Sequence, residues 1–144
     1  MTTHASPAEP TPTRALPSTA RRLLWFDCAA AASSGLLVAG LRHWLAALHH
    51  LPASLLGFFS GVSLLYAAYS GTLAVSSSRG LPLRRRWIDL LIAGNLAWSL
   101  VCLGTAVTLW PSASALGRAH LLLEAVFVAA LAGLEYKLVR PAAT

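Results

Sequence analysis

The sequence predicts an all-α membrane protein, an up-down-up-down bundle of four transmembrane helices, and three observations predict it. Of 144 residues, 56% are hydrophobic and only 11% charged, with a mean hydropathy of +0.63. A soluble domain carries about 25% charge, so a surface this poor in charge calls for lipid. The apolar residues fall into runs of roughly 20, which at about 1.5 Å each match a bilayer core of about 30 Å. Lys and Arg gather at the ends of these runs beside tryptophans, as at a headgroup interface.

The clearest boundary is Arg84-Arg85-Arg86-Trp87-Ile88-Asp89, followed by an apolar run to Leu109. Arginines cannot enter hydrocarbon cheaply, so they mark one membrane face. Residues 1–20 carry Pro7, Pro10, Pro12 and Pro17 and almost nothing that could form a core, which predicts a disordered cytoplasmic tail. The apolar run after it is too long for a secretory signal. Residues 21–140 form a single transmembrane domain.

Span one is expected over 22–41, with the small-residue stretch from Ala29 to Gly35 buried in the bundle, because small side chains let helices approach in lipid. The segment from Arg42 to Leu51 fits the opposite interface, as an extension of the same helix. Pro52 opens span two, 52–75, at a position where its missing N–H costs nothing. That span holds a GxxxG pair, Gly57 and Gly61, and a second small pair at the same spacing, Ala67 and Gly71. A loop with Gly80 and Pro82 leads to span three, 87–109. Pro111 makes a short turn, and span four, 116–138, stops before Pro141. Of the 11 Lys and Arg residues, all but Arg42 and Arg118 fall at one face. This places both termini in the cytoplasm, the membrane being the bacterial inner membrane. The net charge of +6 belongs to this flank and implies lipid headgroups rather than nucleic acid.

Trp25-Phe26-Asp27 and Trp87-Ile88-Asp89 each open an outward-going helix after arginines. This similarity fits either a duplication or convergence on what any entering helix uses, since an early Asp complements the helix dipole. Cys28 and Cys102 are expected at different depths, as unpaired packing residues.

Ionisable and polar groups within the spans need an account. Asp27, Asp89 and Glu135 lie near the arginine-rich face, where they are expected to form interfacial ion pairs with Arg21, Arg22, Arg84 to Arg86 and Lys137. The sharper alternative is a proton or cation access site. Asn95 and Trp98, one turn apart in span three, are expected to act as helix glue, with Ser33, Ser34, Ser63 or Tyr66 as partner. A ligand pocket built around Asn95, Trp98 and Tyr66 is the alternative. At the other end, His120 and Glu124 share a helix face. With His43 they offer donors for zinc or copper, and a histidine pair could ligate a haem. Pairing of Glu124 with Arg118 is the plainer expectation, and no cofactor is assigned.

At Pro52, Tyr66, Trp87, Gly94-Asn95-Leu96-Ala97-Trp98, Pro111, Gly117 and Glu135-Tyr136, the chain resembles small four-span bacterial integral membrane proteins of unknown function. The resemblance implies a four-helix bundle and no particular activity.

GxSxG, HExxH, Walker A and GxGxxG motifs are absent from the sequence, and no enzyme is expected. The leading functional expectation is a non-enzymatic structural or accessory subunit. It would pack through small-residue helix faces within the bilayer, against a membrane-protein partner or as a homo-oligomer. The alternative is a small-molecule or ion-handling protein, a transporter-like oligomer or a metal or haem binder at the outer histidines.

Overall fold

The computed structural model describes residues 16–144. The chain is a four-helix bundle: α1 (Ser18–His49), α2 (Ala53–Ser78), α3 (Arg85–Thr108) and α4 (Ala115–Leu138), with a 3₁₀ turn over Arg140–Ala142. All four are long and apolar enough to cross a membrane. The expected tail and Arg14 lie largely outside the described residues, but α1 starts at Ser18, ahead of the expected Arg22. It also continues without a break through Arg42 to His49, so span one and the segment after it are one helix.

The helix ends follow local chemistry. α1 ends at His50, which takes the left-handed conformation (φ 54°). There the Leu51 N–H reaches the Ala46 carbonyl at 3.1 Å. α2 ends in a Schellman motif. Gly80 (φ 71°) donates to the Ser77 carbonyl at 3.1 Å and Leu81 to that of Ser76 at 3.0 Å, an arrangement that needs a residue at ease with positive φ. α4 opens on Ser114, whose hydroxyl accepts from the Gly117 N–H at 3.1 Å. The same hydroxyl donates to the Leu48 carbonyl at 3.0 Å, and the Ser114 N–H donates to that of His49 at 2.9 Å. The start of α4 is thereby tied to the end of α1.

α1 lies along α2 and α3 along α4, and α1 also meets α4. Ser60 Oγ donates to the Gly35 carbonyl at 2.8 Å, and Ser99 Oγ to that of Ala125 at 2.9 Å. α2 and α3 meet through large side chains: Phe59 stands edge-on to Trp98 at 4.7 Å, and the Tyr69 hydroxyl donates to the Trp87 carbonyl at 2.9 Å.

Only one of the two small-residue pairs in α2 makes a close approach. The Cys28 thiol donates to the Ala67 carbonyl at 3.4 Å and would lie 3.2 Å from a Cβ on Gly71. Gly61 faces open space. In α1 the tight position is Gly35, where a Cβ would meet Leu64 and the Ser60 carbonyl. Ala29 and Ser33 are exposed, so the expected buried stretch is narrower than its sequence suggests.

Two apolar cores occupy the two ends of the bundle. One gathers Ala20 and Leu24 with Leu73, Ala74, Ile88, Leu91, Ala132 and Val139. The other gathers Val38 with Leu56, Phe59, Cys102, Ala106, Leu121 and Ala125. The outward face is apolar as well, with Leu36, Leu65, Leu100, Val107 and Leu123 exposed. Arg86 stacks over Trp87, Arg118 over Trp110 and Arg140 over Tyr136, so charged heads and aromatic rims share the bundle ends.

Candidate functional site

Between the two cores the packing changes character. Each helix carries a buried stripe at helical spacing; in α2 serines interrupt it, Ser60, Ser70 and Ser77, and in the other three a carboxyl or an amide does. In α1 the stripe runs Ala20, Leu24, Asp27, Gly35, Val38. In α3 it runs Ile88, Leu91, Ile92, Asn95, Ser99, Cys102. In α4 it runs Leu121, Ala125, Val128, Leu131, Ala132, Glu135. Asp27, Asn95 and Glu135 are therefore aimed inward, and they converge.

Asn95 Nδ2 donates to Glu135 Oε2 at 3.1 Å, with both residues buried. The Asp27 carboxyl faces Tyr66, Ser70 and Asn95 and is 1% exposed. Asp27 Oδ2, Glu135 Oε1 and the Tyr66 hydroxyl are buried without a hydrogen-bond partner among the described residues. Such groups normally find one, because an unpartnered buried polar atom costs about 1–3 kcal/mol and an unpaired charge more.

The interfacial ion pairs expected for Asp27 and Glu135 do not form. Arg21, Arg22 and Lys137 are exposed on other faces of their helices, and among the described residues neither acid has an ion-pair partner. Only Asp89 pairs, and with Arg140. The two similar Trp-x-Asp segments thus place their acids differently, Asp27 in the interior and Asp89 at the edge. Glu135 is fully buried although it lies near the end of α4, since it shares its helix face with Ala132 and Val139 of the core. The last residue, Thr144, meets the start of α3, its carbonyl accepting from the Arg85 N–H at 2.7 Å.

Beside these groups lies a cavity of about 340 Å³. All four helices line it, with Asp27 and Ala31 from α1, Tyr66 from α2, Asn95 and Trp98 from α3, and Glu124 from α4. The grouping of Asn95, Trp98 and Tyr66 weighed from sequence is thus brought together. The glue expected of Asn95 is directed to Glu135 instead of the serines, and Ser34 and Ser63 line the same cavity. Among its lining residues are two carboxyls, Asp27 and Glu124, and no Lys, Arg or His. Most of the remaining wall is aliphatic or aromatic, with Phe58 and Phe127 at positions that also reach the outer surface.

Glu124 is held by Trp98, whose indole N–H donates to Oε1 at 3.2 Å, and lies 3.9 Å from His120. The expected Arg118–Glu124 pair is absent, since six residues along a helix turn the two side chains to different faces. His120 stacks on His49 with ring centroids 5.1 Å apart, and His49 is buried with Nδ1 unpartnered. His43 is not part of this group. Its Nε2 accepts from the Arg42 guanidinium at 3.2 Å, and among the described residues no three of His, Cys, Asp and Glu converge as metal ligands.

Of the outer histidines raised by the sequence, His43, His49, His50 and His120, the structure stacks His49 on His120; Ser70 is a residue that the sequence does not single out. His49 and His50 are adjacent and do not share a helical face, and α1 continues through the first of them and buries it. Ser70 lies one turn from Tyr66 on the same face, a spacing that points to the Asp27 carboxyl only once Tyr66 is placed beside it.

No family model, no curated protein and no solved structure matches the chain. The site therefore has to be read from its own chemistry.

Proposed function

We propose that this chain is a small multi-pass protein of the bacterial inner membrane that binds a small organic molecule inside its bundle and holds or moves it, without catalysis. In this reading the helices alternate up-down-up-down and both termini face the cytoplasm, supported by the bias of Lys and Arg towards one end. One observation carries the functional part. A cavity of about 340 Å³, lined by all four helices, has Asp27 in its wall, and one oxygen of that carboxyl is buried without a partner among the described residues. A purely structural bundle gains nothing from that combination, since a void forfeits packing contacts and an orphaned carboxyl is costly. Apolar walls with a few convergent polar groups are the common form of a small-ligand site.

The test is a titration of the purified protein in lipid discs with two aromatic probes of equal shape, benzyltrimethylammonium and its uncharged carbon isostere neopentylbenzene. Saturable binding of either, abolished by filling the cavity with Ala31→Phe, supports the reading. Binding of neither, or binding unaffected by Ala31→Phe, overturns it.

A structural or accessory role rests on a different observation, the close approach of α1 and α2 at Gly35. It predicts a partner or a second copy recovered from the membrane, and substitutions at Asp27 that alter stability alone.

A further inference from the structure

We infer that the cavity takes an organic cation, and that the cation exchanges for a proton held by the Asp27–Glu135 pair. This rests on the cavity being a ligand site. The pair belongs to α1 and α4 and is joined through Asn95 of α3, whose amide donates to Glu135 and whose side chain also faces Asp27. Two buried carboxyls that face one Asn95 side chain in a low-dielectric interior do not both carry charge unless a positive charge accompanies them. Among the described residues no side chain supplies it. Around the pair, α1 presents Asp27 itself, α2 presents Tyr66 and Ser70, α3 presents Asn95 and α4 presents Glu135. The one further titratable group at the cavity is Glu124, an acid placed 3.9 Å from His120. The positive charge must therefore come from solvent as a proton or from the cavity as a ligand.

The cavity wall suits the second source. Tyr66, Trp98, Phe58 and Phe127 line it, and aromatic rings are the side chains that attract a cation. Asp27 Oδ2, buried and without a partner, offers the counter-charge. The exchange balances simply. The cation enters, one O–H bond of the carboxyl pair breaks, and the proton leaves to water, so the net charge of the site is unchanged. The same two species compete for the same carboxyls, which couples ligand occupancy to proton release.

The experiment is calorimetric titration of the wild-type protein in lipid discs with benzyltrimethylammonium and with neopentylbenzene. It is run in two buffers of different ionisation enthalpy and across a pH series. The expected result is at least tenfold tighter binding of the cation than of its isostere, with about one proton released per cation bound. Cation affinity should rise about tenfold for each pH unit over the range in which the empty pair holds the proton, while the isostere shows no pH dependence. Asp27→Asn and Glu135→Gln should each remove the proton release and weaken the cation at least tenfold. Each should still bind neopentylbenzene, which shows that the fold and the cavity are intact. Glu124→Gln should keep the proton release. Equal affinity for the two probes, or cation binding without proton release, overturns the inference while leaving the cavity as a site for neutral molecules. Proton release that survives Asp27→Asn and Glu135→Gln but disappears in Glu124→Gln overturns the assignment to this pair. Failure of both probes to bind wild type removes the ligand reading itself.

Discussion

Asn95 of α3 donates its amide N–H to Glu135 of α4 across 3.1 Å, with both residues buried. Among the described residues this bond is the only partner either Glu135 oxygen has, since Oε1 is unpartnered there. Asn95→Ala leaves the whole carboxyl without a donor, and the expected cost is about 1–3 kcal/mol. Glu135→Gln retains an acceptor of the same shape and is expected to cost less. Unfolding of both variants in the same detergent, followed by circular dichroism, checks the order. Equal stability of Asn95→Ala and wild type would remove the bond from the account.

The helices themselves were legible in the sequence, because apolar runs, prolines and flanking arginines act locally. The depth of the acids was not. Distance along the chain from basic residues suggests interfacial pairs for Asp27 and Glu135, whereas their partners are set by helix face. Asp27 falls on the stripe of Ala20 and Leu24, and Glu135 on that of Val128 and Leu131. Arg21, Arg22 and Lys137 point elsewhere. That face rule was available from spacing alone. The bond between Asn95 and Glu135 was not, because it depends on how far α4 and its 3₁₀ turn extend past α3. For the same reason the cavity could be raised from Asn95, Trp98 and Tyr66, but its walls from α1 and α4 could not.

The junction of α1 and α4 supplies a second prediction. A Cβ on Gly117 would lie 2.5 Å from the His49 carbonyl, so Gly117→Ala must push the two helices apart, at an expected cost of about 1–3 kcal/mol. Ser114→Ala, which removes the cap, is expected to cost about 1 kcal/mol. Gly104, with open space around it, is the control. Gly104→Ala should be neutral or stabilising, by up to about 1 kcal/mol. Thermal unfolding of the three variants side by side reads the ranking, and a harmless Gly117→Ala would contradict the packing described.

Gly80 closes α2 with φ at 71°. An alanine there meets no neighbouring atom within 4 Å, so any loss reports backbone conformation alone. Gly80→Ala is expected to cost about 1–2 kcal/mol, and Gly80→Asn less, since asparagine tolerates this region. A reversed order would argue against the Schellman ending of α2.

Asp89 and Arg140 form an ion pair at the edge of the bundle, with both side chains partly exposed. Removing it by Asp89→Asn is expected to change stability by less than about 1 kcal/mol and to weaken further in salt. A larger, salt-independent loss would mean that the pair is shielded from water and closes the end of the bundle.

The most direct measurement for the central claim uses Trp98, which lines the cavity. Trp25, Trp44, Trp87 and Trp110 are replaced by Phe, so that Trp98 alone fluoresces, and the protein in lipid discs is titrated with benzyltrimethylammonium. A saturable change in Trp98 emission that Ala31→Phe abolishes is the predicted result. A linear, unsaturable response, the same with and without Ala31→Phe, would mean that the probe only partitions into lipid and that the cavity is no binding site.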